Sequence, residues 1–426
     1  MRALRFAAAL YARRLDFMFH GYVRRDPMAL LQLRPGRHDP YLMYERIRAG
    51  GDLVPTRLGN FVTPSHRVCN TVLRDRRFGV RAAELTGRAT PDQQVDMSFL
   101  DRDPPDHTRL RRLAQPAFSP RRMADYAGRI EQRVGELLDA AAAKGSFDLV
   151  SEFAAPLPIT VITDLLGVPD ADADRFARHG ATIGSALDGI RSLRHGARLK
   201  AASDELDDVF ARLFVLRRRE PADTESATDL VSRILTAEGD QIRSHELLPM
   251  CRLLLVAGFE TTVNLIGNAV NALLDHPEQW AALRADPAGL AEAAVEETLR
   301  WDPPVQRTAR CAVEEVELAG RTVRRGQFVV TLLAAANRDP EVYSHPDRFD
   351  IHRTPEADHL AFSSGIHYCV GAPLARLEAV IALRMLAERM PGLARAGTVR
   401  RRNAGIIRGP IHFPVTASRR VPAQTV

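Results

Sequence analysis

The stretch "FSSGIHYCVG", residues 362–371, sets a lone cysteine, Cys369, at the mouth of a helical pattern. His367 stands two residues before it, and Gly365 and Gly371 flank it. A thiol at a helix N-terminus faces the positive end of the helix dipole, which favours the thiolate. Such a group can be a structural thiol, a nucleophile or a metal ligand. A second candidate is "AGFETT", residues 257–262, where Glu260 and Thr261 follow the apolar run Leu253–Ala257. A carboxylate in a buried helix is costly unless it is paired or put to use. In "EETLR", residues 296–300, Glu297 and Arg300 are three apart and share a helix face, so they can pair. In "PPDHTRLRRL", His107 and Arg111 are four apart and share another face. Taken singly, these last two, like Arg310, read as surface charges.

Elements must hold these groups in place. Pro373 suits the first turn of a helix, and Leu374, Leu377, Ile381 and Met385 continue its apolar stripe. From about residue 123 the pattern is helical, with Tyr126, Ile130, Val134, Leu137 and Leu138 on one face. Further helices are expected near 157–166, 171–193, 200–219, 225–237, 244–275, 279–301 and 372–390. An early hairpin should turn at Gly59-Asn60. Strands are expected at 315–333, turning near Arg325-Gly326, and at 405–417. Residues 82–99 show no period and suit a loop. Without strand–helix alternation the fold class is mainly α with small β-sheets.

Length and composition bound the rest. The 426 residues suffice for a large core, and a hydrophobic content of 45% marks a globular chain. The formal charge is +6, almost wholly from arginine, since lysine occurs only at Lys144 and Lys200. Acidic residues are interspersed, so a nucleic-acid-binding tail is not indicated. The four cysteines form no Cys-x-x-Cys pair, which argues against a disulfide framework and for a reducing, cytoplasmic setting. The N-terminal apolar run is short and is followed by Arg13, Arg14 and Asp16, so it reads as a surface helix and not a transmembrane segment.

The cysteine stretch resembles the haem-ligand loop of the cytochromes P-450, including the phenylalanine seven residues before the cysteine. "AGFETT", "EETLR", "WDPPVQRTAR" and "ANRDPEVYSHPDRFDIHR" then follow the family's order, over about residues 40–415. The wording resembles soluble actinobacterial members. The resemblance implies a cytochrome P-450 fold, with residues 1–39 as an N-terminal extension and 40–426 as one haem domain. It implies haem b (iron protoporphyrin IX) as cofactor, with Cys369 as proximal thiolate, the ligand type known for these enzymes. Backbone amides after Cys369, Gly371 among them, would point at the sulfur, and Phe362 would pack on the ligand side. Ala257 would sit on the oxygen side, where a small-residue pair lets the helix bend over the haem. Glu260 and Thr261 become the acid–alcohol pair that relays protons to O2. His107, Arg111, Arg310 and His367 take the positions of propionate contacts. Glu297, Arg300 and Arg353 become a buried ion network that serves folding.

The activity so implied is a monooxygenase that inserts one oxygen atom of O2 into a lipophilic small molecule of polyketide, terpenoid, steroid or lipid type. No Gly-x-Gly-x-x-Gly is present, so electrons are expected from a separate ferredoxin and ferredoxin reductase. That donor would dock near Cys369, with Arg112 and Arg376 as candidate contacts. Substrate contacts are expected from Leu85, Met97, Phe99, Ile183, Leu187 and Val305, an apolar set; Arg191 and Arg194 read as solvated. The alternatives are a peroxide-driven enzyme, disfavoured by the acid–alcohol pair, and a haem sensor, which needs no proton relay. A thiol hydrolase on Cys369 and His367 would place base and nucleophile too close along one turn.

Overall fold

In the computed structural model, residues 2–81, 96–168, 178–180, 182–185, 190, 192–219, 229–403 and 405–418 are described. Among these residues, long helices meet around one dominant core, with three smaller buried clusters beside it. The helix Ala372–Arg389 packs against Pro120–Lys144, Pro287–Trp301 and the central helix Ser244–Asp275. The Pro120–Lys144 helix starts on a proline and ends at Gly145, whose φ of 72° a residue with a Cβ rarely adopts. Its residues Tyr126, Ile130, Val134, Leu137 and Leu138 are buried, the face expected from their spacing. The central helix is mostly apolar because most of it is buried, and its buried polar residues, Glu246, Glu260 and Asn264 among them, are hydrogen-bonded or paired. It is long and apolar enough to cross a membrane, yet it lies in the protein core.

The helix expected over 279–301 is two helices, Pro277–Ala285 and Pro287–Trp301. Pro287 has no N–H to continue the first, and the Asp286 side chain caps the second by accepting from Gly289 N at 2.9 Å. The helix expected at 225–237 runs Leu230–Thr236, capped by Asp229 through Ser232 N at 2.7 Å. The helix expected from 200 begins earlier, at Leu193, and runs to Arg219. The loop 82–99 and the helix 171–193 lie largely outside the described residues.

Twelve short strands are described: β1 (Val54–Pro55), β2 (Phe61–Thr63), β3 (Phe78–Gly79), β4 (Ser146–Asp148), β5 (Thr308–Ala312), β6 (Val316–Leu318), β7 (Arg321–Val323), β8 (Phe328–Thr331), β9 (Gly392–Arg395), β10 (Arg400–Arg401), β11 (Pro410–His412) and β12 (Pro414–Ser418). The largest sheet has the order β1-β2-β8-β5-β3, antiparallel except for β2–β8. The expected turn near Gly326 is present, but Ala319 and Gly320, both at positive φ, make a second, unforeseen hairpin between β6 and β7. Near the N-terminus, Met28 and Leu31 are buried with Met43, Tyr44, Ile47 and Val62.

Candidate active site at the cysteine loop

Gly365 has φ 68°, and a Cβ there would lie 2.4 Å from the Leu73 carbonyl oxygen. Glycine therefore lets the cysteine loop sit directly on the helix His66–Arg74. The loop is closed by Cys369 N donating to Phe362 O at 2.9 Å and Tyr368 N donating to Gly365 O at 3.1 Å. Gly371 is different: its φ is −87°, and a Cβ would meet only Phe118 Cε1 at 3.7 Å. Its contribution is its amide, which with that of Ala372 favours the thiolate of Cys369. Burial pushes the Cys369 thiol up, and those amides with Arg111 and Arg376 offset only part of this. The expected depression by the helix dipole does not win. Walled by protein, the residue nevertheless remains accessible, so it borders an opening. The other three cysteines are buried. Among the described residues no cluster of three His, Cys, Asp or Glu side chains could hold a metal ion. As a metal ligand Cys369 would act as the single protein donor, which suits iron already held by a macrocycle.

Four side chains from three distant segments gather beside this loop. His107 is buried on the helix Asp106–Ala114, and neither ring nitrogen has a hydrogen-bond partner. Its ring lies 4.4 Å from that of His367, centroid to centroid. Burial, then the charge of His367, then that of Arg111 hold His107 down at about 4. His367 Nε2 is likewise buried without a hydrogen bond, and it faces the Asp103 carboxylate, whose Oδ1 is 4.0 Å away. Arg310, on β5, is buried and donates to Thr308 Oγ1 and the Ala309 carbonyl. Desolvation pulls its guanidinium down to about 10. Arg111 donates to the Tyr368 carbonyl at 2.6 Å. Two arginines beside two imidazoles with orphaned nitrogens, partly offset by Asp103, are costly by themselves and are favoured by an anion. The two carboxylates of haem b fit that demand, so the residues present fit the group.

Across the site, Ala257 is exposed within a run of buried residues on the central helix, so it too borders an opening. Thr261 Oγ1 donates to the Ala257 carbonyl at 2.8 Å, Thr262 Oγ1 to Gly258 O at 3.2 Å, and Asn264 Nδ2 to Glu260 O at 2.7 Å. The helix stays continuous here, and Gly258 serves close packing, since a Cβ would lie 3.0 Å from Ile162 Cδ1. Glu260 is buried and forms a salt bridge with Arg402. Arg402 follows β10 and was not foreseen, because nothing in "RRN" at 401–403 signals a partner so distant in sequence. Gly184 lies over the same carboxylate, where a Cβ would come within 2.7 Å of Oε2.

The expected ion network is assembled. Arg300 donates to Glu297 through Nε at 2.7 Å and Nη2 at 2.8 Å, and Arg353 Nε approaches Glu297 Oε1 at 3.4 Å. Arg300 also donates to the carbonyls of Asn337, Pro346 and Arg348. A second network, missed in the sequence, ties Arg376 to Glu296 at 2.6 Å and His359 to Glu296 at 3.1 Å. The Arg376 guanidinium lies 4.6 Å from the centre of the Phe362 ring. Arg376 is thus committed within the protein, whereas Arg112 is exposed.

Of the expected substrate contacts, Leu85 and Leu187 lie outside the described residues. Phe99 is buried edge-on to His107, with ring centroids 6.4 Å apart, and Met97 is half-buried beside it. Ile183 is buried next to Gly184, above Glu260. Val305 is half-buried and bridges to Ile407. Arg194 is exposed, and Arg191 lies outside the described residues.

Residues 289–389 match the family model described as Cytochrome P450. The chain is 39% identical over 415 residues to a putative cytochrome P450 140 of Mycobacterium tuberculosis, covering 93% of each chain. It is 42% identical over 364 residues to the cytochrome P450 monooxygenase PikC of Streptomyces venezuelae, covering 84% of this chain and 85% of that one. Its fold is similar to that of ligand-free CYP164A2 of Mycobacterium smegmatis, with a TM-score of 0.83 and 39% identity over 92% of this chain and 99% of the other.

Proposed function

This chain belongs to the cytochrome P450 family and is a haem-thiolate monooxygenase, and we propose that a ferredoxin and its reductase supply its electrons in the cytoplasm. The substrate is a lipophilic small molecule. We infer a bulky natural product of polyketide, terpenoid, steroid or lipid type, because the side chains expected at the substrate, Phe99, Ile183 and Val305, are apolar, and Ile183 adjoins Gly184 over Glu260. The observation that carries the reading is the gathering of His107, Arg111, Arg310 and His367 beside Cys369.

When bound, haem b supplies the activation of O2 and the insertion of one oxygen atom into the substrate. The protein holds and orients. Cys369 gives the sulfur, and the amides of Gly371 and Ala372 temper its charge. Arg111 and Arg310 would supply charge, and His107 and His367 hydrogen bonds, to the two carboxylates of the cofactor. Thr261 Oγ1 spends its proton on the Ala257 carbonyl and presents its lone pairs to water. Glu260, held by Arg402, is the carboxylate from which protons travel inward. A ferredoxin would dock over the cysteine loop, where Ile366, Tyr368 and Arg112 are exposed.

The test is a screen of lipophilic compounds against the haem-loaded protein by absorption. Hits are then assayed for NADPH oxidation and hydroxylated product with ferredoxin and reductase present. Substrate-dependent product formation supports the reading. Full turnover with hydrogen peroxide alone, and none with the redox proteins, would replace the proposed electron route.

A further inference from the structure

The helix Arg2–Met18 and the wider π-helical turn Phe19–Val23 that prolongs it bear an apolar stripe on the outside of the molecule. Tyr11, Leu15, Met18 and Tyr22 are spaced four, three and four residues apart, the repeat of one helix face. Phe19 and Val23 adjoin them, and all six are between 40% and 66% exposed. The segment is held to the body by its other side. Gly21 is buried so close to Leu33 that a Cβ would lie 2.5 Å from its Cδ1. Asp26 fixes the exit by accepting from Ala29 N at 2.8 Å and Arg57 N at 2.7 Å. Residues 2–25 contain six arginines and a single acid, Asp16, which is paired with His20 at 3.3 Å. Arg14, Arg24 and Arg25 are exposed.

Three occupants could cover such a face. A second copy of the chain would bury the stripe but bring arginines against arginines. An acidic protein would meet the arginines but waste the six large apolar groups. An anionic bilayer surface satisfies both, because apolar side chains enter the acyl boundary while arginines reach the headgroups. Tyr11 and Tyr22 suit that boundary, having an apolar ring and a polar tip. We propose that residues 2–25 form an interfacial anchor that seats this protein on an anionic lipid surface.

The haem-loaded full chain is sedimented with vesicles of phosphatidylcholine alone and of phosphatidylcholine mixed with phosphatidylglycerol. Preferential binding to the mixed vesicles, weakened by added salt, is expected. The double substitution Leu15→Glu, Tyr22→Glu should weaken binding by about tenfold or more. It should leave the absorption spectrum unchanged, since both side chains face outward. Arg14→Glu with Arg25→Glu should remove the preference for phosphatidylglycerol by a similar factor. Absence of vesicle binding by the parent protein overturns the proposal. So does equal binding by the Leu15→Glu, Tyr22→Glu variant, or a parent dimer that this variant dissociates while neither form binds vesicles.

Discussion

Glu260 and Arg402 form a salt bridge although they are remote in sequence, and the proposed acid–alcohol pair would depend on it. The carboxylate is buried while the arginine retains some exposure, so Arg402 connects Glu260 toward the outside. Removing the arginine takes away a counter-charge of Glu260 but does not alter Thr261. Arg402→Ala is therefore expected to lower product formation about tenfold, the range of a general acid–base contribution, with KM nearly unchanged. A larger solvent deuterium isotope effect on kcat should accompany the loss, and Arg402→Lys should restore most of the rate. An unchanged isotope effect would assign Arg402 a purely structural role. Glu260 itself was legible in the sequence because a charge inside an apolar run stands out. Its partner was not, because an arginine in an arginine-rich chain carries no such contrast.

Helices and loops decide which charges are trapped. Glu297 and Arg300 are both buried on Pro287–Trp301, and Arg353 reaches the same carboxylate from a loop. Glu297→Ala leaves Arg300 without its counter-charge, and a loss of about 3–5 kcal/mol is expected, read as a lower midpoint in urea. The neighbouring Glu296 gives a pH signature. Burial alone would raise its carboxyl, but hydrogen bonds and charge from His359 and Arg376 outweigh that and hold it at about 2, against an ordinary 4.5. The unfolded chain thus binds a proton more readily across that interval. The stabilisation is complete above pH 4.5 and is lost as the pH falls toward 2. Because the pair is partly solvated, it contributes about 1–2 kcal/mol after screening. Glu296→Gln should flatten the acid limb of stability in that window, measured by urea unfolding at a series of pH values. The spacing in "EETLR" exposed the first network, since both partners lie on one helix. The second joins three segments, and local periodicity is blind to it. The same limit explains the break at Pro287, where the apolar pattern runs on across a capped proline and only the backbone chemistry marks the stop.

At the scale of the whole molecule, the candidate site is a meeting of segments that do not otherwise contact one another strongly. His107 and Arg111 come from one short helix, Arg310 from β5, Ala257 and Thr261 from the central helix, and His367 and Cys369 from the loop before the helix Ala372–Arg389. The motifs were legible because each is local. Their convergence was legible only through the resemblance, since no periodicity predicts it. Before an anion arrives, the convergence is unfavourable: His107 has both ring nitrogens without a hydrogen bond, and the charge of Asp103 offsets only part of the desolvation of Arg310. Haem b should therefore act as a structural ligand as well as a cofactor. Binding to the folded state alone stabilises by about 2.7 kcal/mol at a hundredfold excess over Kd. Removing the haem should lower the melting temperature by several degrees and raise protease sensitivity around residues 96–114 and 362–371. Re-adding haem should reverse both changes. In Arg310→Leu the repulsion is relieved, so the haem-free form should melt no lower than the parent's, while haem is retained about tenfold less well. Equal melting of the parent with and without haem would mean that the cluster is stabilised by the protein itself, and that its fit to two carboxylates is incidental.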